Sequence, residues 1–540
     1  MKRKTARAPE SVIVKRDISS EKYFAPAVTV LFILIAGLGM LKHEFWRDEY
    51  QAWMLAANSS SLADCYHNMR YDGHPMLWHT ILFFLAKLGA PASSMKVVHL
   101  LIAAGSVWLI TKYSPFKWHE KIAACFGYFT LYEYTIISRS YALGLFFVLL
   151  FCVLYRQRFK NIIYLSICIF LMANTQPFGM LVGIGCLIFL VAELLFSRND
   201  LGVEQPLNVK TFSAFLIAVF GIIISYIQIS PPSDGGYYAT SEFTKGFNAE
   251  SLSISVSRLI NAYFTIPKPG FVASWNSTIF FDHTPDSNFI IGLLIFCISV
   301  FIFMHHQRAL FFYLSGTCLL LLFFYLTSAG FIYSRYIGYL FVVLLASFWM
   351  SRMLPEKKIL KISPVLADRS KKLSGIFMTI VLCAQLIGGA IAYENDWSNP
   401  FSNSGAAADY IKKSGLEKST IVGAWDFIAS SLSGALNKPI YYPEKKNFGT
   451  FIVWNRERKK HSGFDEVIRS CSTFYEKEQK NILLVLSNPL NEDKNGTVNI
   501  MQDIPFGDGY YAHLIQSFDQ SCICGDEQYY IYVFNKNEKN

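Results

Sequence analysis

A succession of apolar runs, each near the length a helix needs to cross a bilayer, limits this chain more than any other feature. Hydrocarbon offers no water to backbone N–H and C=O groups, so a crossing segment must pair them internally. At about 1.5 Å per residue that takes roughly 20 apolar residues. Such runs lie near 24–42, 95–111, 120–136, 139–155, 161–174, 177–196, 211–229, 289–304, 309–327, 331–350 and 373–393. Hydrophobic residues make up 53% of the chain and charged residues only 16%, which excludes an ordinary soluble globule of this length. The expected class is an α-helical polytopic membrane protein with about 11 transmembrane helices.

Orientation follows from the basic residues. The net charge of +10 does not point to nucleic acid, because Lys and Arg are dispersed among short loops and form no single face. Short loops rich in Lys and Arg stay cytoplasmic. That places Lys112, Lys117 and Lys121, Arg156, Arg158 and Lys160, Arg198 and Lys210, Arg308, and the cluster from Lys357 to Lys372 inside. The basic head (Lys2, Arg3, Lys4, Arg7, Lys15, Arg16) is long for a signal peptide, so the first run is read as a retained anchor with the N-terminus inside. An odd number of crossings then puts the tail outside.

The resulting division is a cytoplasmic N-terminus (1–23), a transmembrane part (24–393) with outer loops 43–74 and 230–288, and an extracytoplasmic domain (394–540). The tail alternates helical segments (406–413, 464–471) with β-type runs (420–424, 482–486, 529–534), as a small α/β domain does. The run 76–88 is short and follows Pro75, so it is expected to be interfacial or re-entrant. Most cysteines fall in apolar runs and act as small hydrophobes; Cys471, Cys522 and Cys524 lie in the tail, where an oxidising compartment allows a disulfide.

Chemistry belongs to the outer side. The first outer loop carries Asp48 and Glu49, then Asp72 and His74. Taken alone, these read as solvated charges at helix ends, with Trp46, Trp53 and Trp78 in an aromatic belt. Other outer ends add Arg139 and Tyr141, Asn174 and Gln176, and Tyr333, Arg335 and Tyr336; each singly reads as a snorkelling arginine, a polar helix end or a belt tyrosine. Their coincidence on one side carries more weight. Guanidinium forks bind phosphate oxygens, and a nearby carboxylate can take a proton from a hydroxyl. Glu133 is an acid inside an apolar run and joins the candidates.

The order Trp46-Arg47-Asp48-Glu49, Asp72-Gly73-His74-Pro75, Ser138-Arg139-Ser140-Tyr141 and Arg335-Tyr336 resembles the GT-C membrane glycosyltransferases. The bacterial relatives of protein O-mannosyltransferases and lipid A aminoarabinose transferases look nearest, over residues 24–393. The resemblance implies inverting transfer of a hexosyl or pentosyl unit from a polyprenyl-phosphate-sugar donor to an envelope acceptor (glycolipid, polysaccharide or protein) at the outer face of the inner (plasma) membrane. It implies Asp48 as the catalytic carboxylate, a general base toward the acceptor hydroxyl or the group orienting it, with Glu49 second, Asp72 and His74 lining the cavity, and Arg139 and Arg335 on the lipid phosphate. Glu133, Tyr141, Gln176, Tyr333 and Tyr336 complete the expected substrate-binding set. Met76 stands where family members often have a second proline, so the resemblance is weakest at His74. Asp48, Glu49, Asp72 and His74 have the donor types to hold a divalent cation, but a catalytic metal is not expected. Rival classes are a transporter or flippase of lipid-linked sugars and a non-catalytic membrane scaffold; the first calls for ionisable residues near the bilayer midplane.

Overall fold

The computed structural model describes residues 22–196, 208–236, 247–272, 274–280, 285–327, 333–356, 361–490 and 503–537. The basic N-terminal head lies outside the described residues, as do Arg198 and the start of the cluster at Lys357.

The membrane part is a bundle of α1 (Phe24–Lys42), α2 (Arg47–Asn58), α3 (Leu62–Met69), α4 (Leu77–Lys87), α5 (Ser94–Tyr113), α6 (Trp118–Cys125), α7 (Tyr141–Tyr155), α8 (Ile162–Ala173), α9 (Pro177–Phe196), α10 (Val209–Ile229), α11 (Ala249–Tyr263), α12 (Pro285–Phe303), α13 (Gln307–Thr327), α14 (Ser334–Met353) and α15 (Pro364–Ser398). Among the described residues seven helices are long and apolar enough to cross a membrane: α1, α5, α9, α10, α13, α14 and α15. Four shorter apolar helices accompany them, including α4 in the place expected for the interfacial segment.

Three departures from the sequence reading have physical causes. The run 120–136 is not one helix. It breaks after α6 and resumes as a π-helical turn, Tyr128–Ile136, whose residues are all buried. A π-turn widens the backbone ring and is common at functional sites. The second departure is in the expected outer loop 230–288, which contains α11. Its Ser251, Ser255 and Arg258 are buried, and it packs against α12, α13 and α14. Small hydroxyl side chains allow that close approach: Ser255 donates to the Leu321 carbonyl at 2.5 Å. The third is α15, which extends beyond 373–393 at both ends and, at 35 residues, reaches about 52 Å. Its Gly388–Gly389 pair is needed because a Cβ on either would collide with backbone at Thr265 or at Phe126–Tyr128.

At the end of the bundle away from Asp48, Glu193 Oε2 lies 2.9 Å from Arg158 Nη2 and its Oε1 2.9 Å from Arg308 Nε. Arg352 forks onto Glu120, at 2.5 and 2.9 Å. These arginines come from loops or helix ends that the charge pattern assigns to one side.

The tail folds into α16 (Ser404–Lys413), β1 (Ile421–Gly423), α17 (Asp426–Leu436), β2 (Ile440–Tyr442), β3 (Asn447–Gly449), α18 (Phe464–Glu478), β4 (Ile482–Leu486), β5 (Asp503–Gly507), β6 (Tyr510–Phe518) and β7 (Tyr529–Lys536). The seven strands form one sheet in the order β3-β2-β1-β4-β7-β6-β5, with β1 parallel to β2 and β4 and the other pairs antiparallel. Alternate residues of β4 enter two cores: Leu483 and Val485 join α16 and α17, while Ile482, Leu484 and Leu486 join α18. That double burial explains its uninterrupted Ile-Leu-Leu-Val-Leu run. Cys471 is buried in the α18 core, and the Cys522 and Cys524 sulfurs lie 3.5 Å apart as free thiols.

The tail domain sits on the segment that follows α1. α17 packs on α2, where Gly434 gives the Tyr50 ring room against its backbone. The side chain of Gln51 pairs with Ile452 in both directions, donating to its carbonyl at 2.7 Å and accepting its N–H at 2.9 Å. Further along the same segment, Gly236 N–H donates to the Trp454 carbonyl at 2.8 Å and Arg456 N–H to the Asp234 carbonyl at 2.9 Å. A strap of the tail, 452–461, is thereby tied to the membrane part.

Candidate active site

Between the strap and the helix ends lies a cavity of about 810 Å³. Its wall is built from the start of α2, the segment 72–79, the turn before α7, the start of α14, the strap, and the loop at 523–526.

Asp48 occupies the first turn of α2. Its Oδ2 lies 2.7 Å from Arg139 Nη1 and 3.4 Å from Arg335 Nη2, and its side chain remains 28% exposed. Burial would raise this carboxyl, but Arg139, Arg335 and Arg47 outweigh that and hold it below the usual carboxylate range. Arg335 is caged by aromatic rings: its Cζ lies 4.3 Å from the centroid of Tyr333, 4.8 Å from Tyr336, 5.4 Å from Trp46 and 5.6 Å from Trp275. Ring faces attract a guanidinium and fix its plane while leaving N–H groups for a ligand.

Asp72 and His74 also line the cavity. Gln51 Nε2 donates to Asp72 Oδ2 at 3.4 Å. Burial pushes the Asp72 carboxyl up to about 7, with Gln51 and Arg139 opposing. Burial, aided by Arg139, pushes the His74 imidazole down to about 3, so its Nε2 accepts from Arg139 Nη2 at 3.5 Å. The His74 ring is therefore uncharged at neutral pH and Asp72 holds its proton more readily than an ordinary aspartate, while the Asp48 corner is ionic.

Tyr333, Arg335 and Tyr336 reach the cavity, but other expected residues do not. Glu49 is fully buried behind Asp48, where Oε2 lies 3.0 Å from His43 Nε2 and Oε1 accepts the Ser138 N–H at 2.7 Å. Neighbours on a helix point about 100° apart, so one acid of the pair faces the cavity and the other the interior. Glu133 sits one layer deeper, accepting from Tyr128 OH at 2.9 Å and Trp275 Nε1 at 3.0 Å. Tyr141 is buried against Tyr134 with ring planes 13° apart, and Gln176 is fully buried among α7, α9 and Tyr339. These four lie outside the cavity wall. The expected aromatic belt is likewise displaced inward: Trp46, Trp53 and Trp78 are all buried within the protein.

Sequence reasoning missed Trp275 and the whole tail contribution. The strap brings Trp454, Arg458, Lys460 and His461, and the 523–526 loop brings Asp526. Arg458 is already committed to Asp426, at 2.5 Å. Asp526 holds Arg47 at 2.5 Å, and Glu527 accepts the Arg47 N–H at 2.8 Å. The usable signal was the aromatic-basic run Trp454-Asn455-Arg456-Glu457-Arg458 in an otherwise β-rich tail. Among the described residues no group of three or more His, Cys, Asp or Glu side chains is arranged to hold a metal ion.

No family model and no curated protein matches the chain. Among solved structures, ArnT from Cupriavidus metallidurans bound to undecaprenyl phosphate is similar at 10% identity and a TM-score of 0.47, covering 94% of this chain and 97% of that one.

Proposed function

We propose that this protein is an inverting membrane glycosyltransferase of the GT-C type, moving a sugar from a polyprenyl-phosphate donor to a hydroxyl of an envelope acceptor at the outer face of the inner membrane. The observation that carries the reading is the Asp48 carboxylate held between Arg139 and Arg335 at the wall of a cavity large enough for a sugar and its phosphate.

In this reading the acceptor oxygen attacks the anomeric carbon from the face opposite the phosphate. The carbon–oxygen bond to phosphate breaks with its electron pair, and the acceptor proton passes to Asp48. Arg139 and Arg335 neutralise the charge growing on the departing phosphate, which is where fixed cations lower a barrier most. A carboxylate paired to two arginines is a weak base. The donor phosphate resolves this, because it competes for the same guanidinium groups and releases the Asp48 oxygens for the acceptor hydroxyl. One carboxylate suffices for a single displacement with inversion. The hexosyl or pentosyl identity of the sugar, the acceptor, and the outward orientation of the tail belong to the same proposal.

The test is sugar transfer by the purified full chain in nanodiscs, supplied with radiolabelled polyprenyl-phosphate hexoses and pentoses and an envelope extract. Label should leave the lipid for an acceptor in wild type and stay on it in Asp48→Asn. Wild-type protein that carries the intact donor across vesicle membranes without cleaving it would establish the flippase alternative instead.

A further inference from the structure

The residues behind Asp48 form a buried polar chain that the proposed chemistry leaves unused. His43 follows α1, with Nε2 3.0 Å from Glu49 Oε2 and Nδ1 2.8 Å from Asp396 Oδ2 near the end of α15. The three side chains are 0%, 0% and 4% exposed. A neutral imidazole has a single N–H, so only the doubly protonated ring donates to both carboxylates. Glu49 then spends its other oxygen on the Ser138 N–H at 2.7 Å, one residue before Arg139. His99 of α5 bridges the π-helical segment and the turn, its ring nitrogens 2.8 Å from the carbonyls of Thr135 and Arg139.

Two adjacent residues of α2 thus hold one short turn in two ways. Asp48 takes the Arg139 side chain, and Glu49 takes the backbone beneath it. We infer that His43 and Glu49 are positioning residues, which fix the 137–140 turn so that the Arg139 guanidinium meets Asp48 at the cavity wall. The inference rests on the transferase reading for its effect on turnover, but its structural half stands independently.

A buried ion cluster is a poor way to gain stability, since desolvating the charges offsets most of their attraction. Its value lies in geometry. Misplacing a reacting group by about 1 Å can cost on the order of 100-fold in rate. The turn 137–140 follows a π-helical segment and precedes α7, so it has no regular hydrogen-bond ladder of its own to hold its shape. The contacts from Glu49 and His99 supply that constraint.

The experiment compares wild type, His43→Gln, Glu49→Ala and Glu49→Gln as full chains in nanodiscs. Hydrogen–deuterium exchange of the 135–141 peptide is measured alongside kcat and donor KM. Glu49→Ala removes the acceptor of the Ser138 N–H, so exchange there should rise and kcat should fall about 10- to 100-fold, the cost of a hydrogen bond to a charged group. Donor KM should rise by a smaller factor than kcat falls, because Arg335 is held by other contacts and still binds phosphate. His43→Gln, which keeps one of the two bonds, should shift both readouts in the same direction by less. Glu49→Gln retains an oxygen for Ser138 and can donate to a neutral His43 ring, so it should recover most of the protection and turnover. Unchanged exchange in Glu49→Ala, or a loss confined to donor KM, would overturn the inference. A wild-type chain that transfers no sugar fails the transferase reading separately, because the exchange measurement does not depend on turnover.

Discussion

Asp48 Oδ2 and Arg139 Nη1 lie 2.7 Å apart, joining the first turn of α2 to the turn that opens α7 across 91 residues of sequence. Arg335 reaches the same oxygen from α14 at 3.4 Å. Three separate stretches of the membrane part thus converge on one carboxylate oxygen.

Replacing Asp48 by Asn keeps the shape of this junction and removes its charge. Turnover should fall on the order of 100- to 10,000-fold, the usual contribution of a general base. Donor affinity should hold or rise, because the two arginines lose their competitor for phosphate. Single-turnover assays with binding of polyprenyl phosphate measured in parallel separate the two effects, and retained turnover would remove Asp48 from the mechanism.

Arg335 predicts the opposite pattern. Arg335→Ala should weaken polyprenyl phosphate binding about 10- to 100-fold, the equivalent of a charged hydrogen bond, and affect acceptor KM less. Arg335→Lys should rescue little, since an ammonium neither forks onto phosphate nor stacks in the ring cage of Tyr333, Tyr336, Trp46 and Trp275. Equal losses for donor and acceptor would make Arg335 a structural residue.

The strap residues should sort with the acceptor. Lys460 and His461 reach the cavity from the tail domain, whereas Asp48, Arg139 and Arg335, the groups proposed to take the donor phosphate, come from the membrane part. Lys460→Ala is expected to raise acceptor KM several-fold and leave donor binding within about twofold, as for loss of a partly solvated charge contact. Steady-state kinetics with each substrate varied in turn gives the answer directly.

Stability should depend on pH through His43. Burial lowers the tendency of this ring to hold its second proton, but Asp396 and Glu49 outweigh burial and push it up to about 9. Glu44, Lys96, Tyr132, Tyr393, Tyr50 and His99 are the other ionisable groups coupled to this cluster, and Lys96 Nζ donates to the His43 carbonyl at 2.6 Å. A folded-state value above the unfolded one gives stability that is complete below about pH 6.5 and is lost as the pH rises through about 9. Melting temperature in detergent should therefore decline between those limits, and His43→Gln should flatten that decline. An equally steep fall in the variant would place the titration elsewhere.

Glu193 offers a check remote from the cavity. Its side chain is 6% exposed and faces Arg158 and Arg308. Glu193→Gln leaves two buried guanidinium groups without their counter-charge, which should cost about 3–5 kcal/mol. The readout is a thermal melt, with donor binding by the surviving folded fraction unchanged.

The helical membrane class, the position of most crossings and the β-rich tail were legible because each depends on local pattern. Lipid imposes a length of apolar residues on every crossing, and that length is written in consecutive positions such as Phe24–Lys42 and Gln307–Thr327. Alternation of basic loops then put Asp48, Arg139 and Arg335 at one end of the bundle, and the structure gathers those three. The residue types and spacing at 48 and 49 did not separate the two acids, and the family resemblance alone ranked Asp48 first. Both are carboxylates in the first turn of one helix, and only the packing of α2 against His43 and Ser138 decides that Glu49 points inward while Asp48 faces the cavity. The same limit hid Trp275 and the strap at 452–461, whose partners Gln51, Asp234 and Gly236 lie more than 200 residues away in sequence. Periodicity and charge reach across a few turns of helix; contacts at that separation exist only once the tail domain docks on α2 and the segment around Asp234, and docking is a property of the folded surfaces.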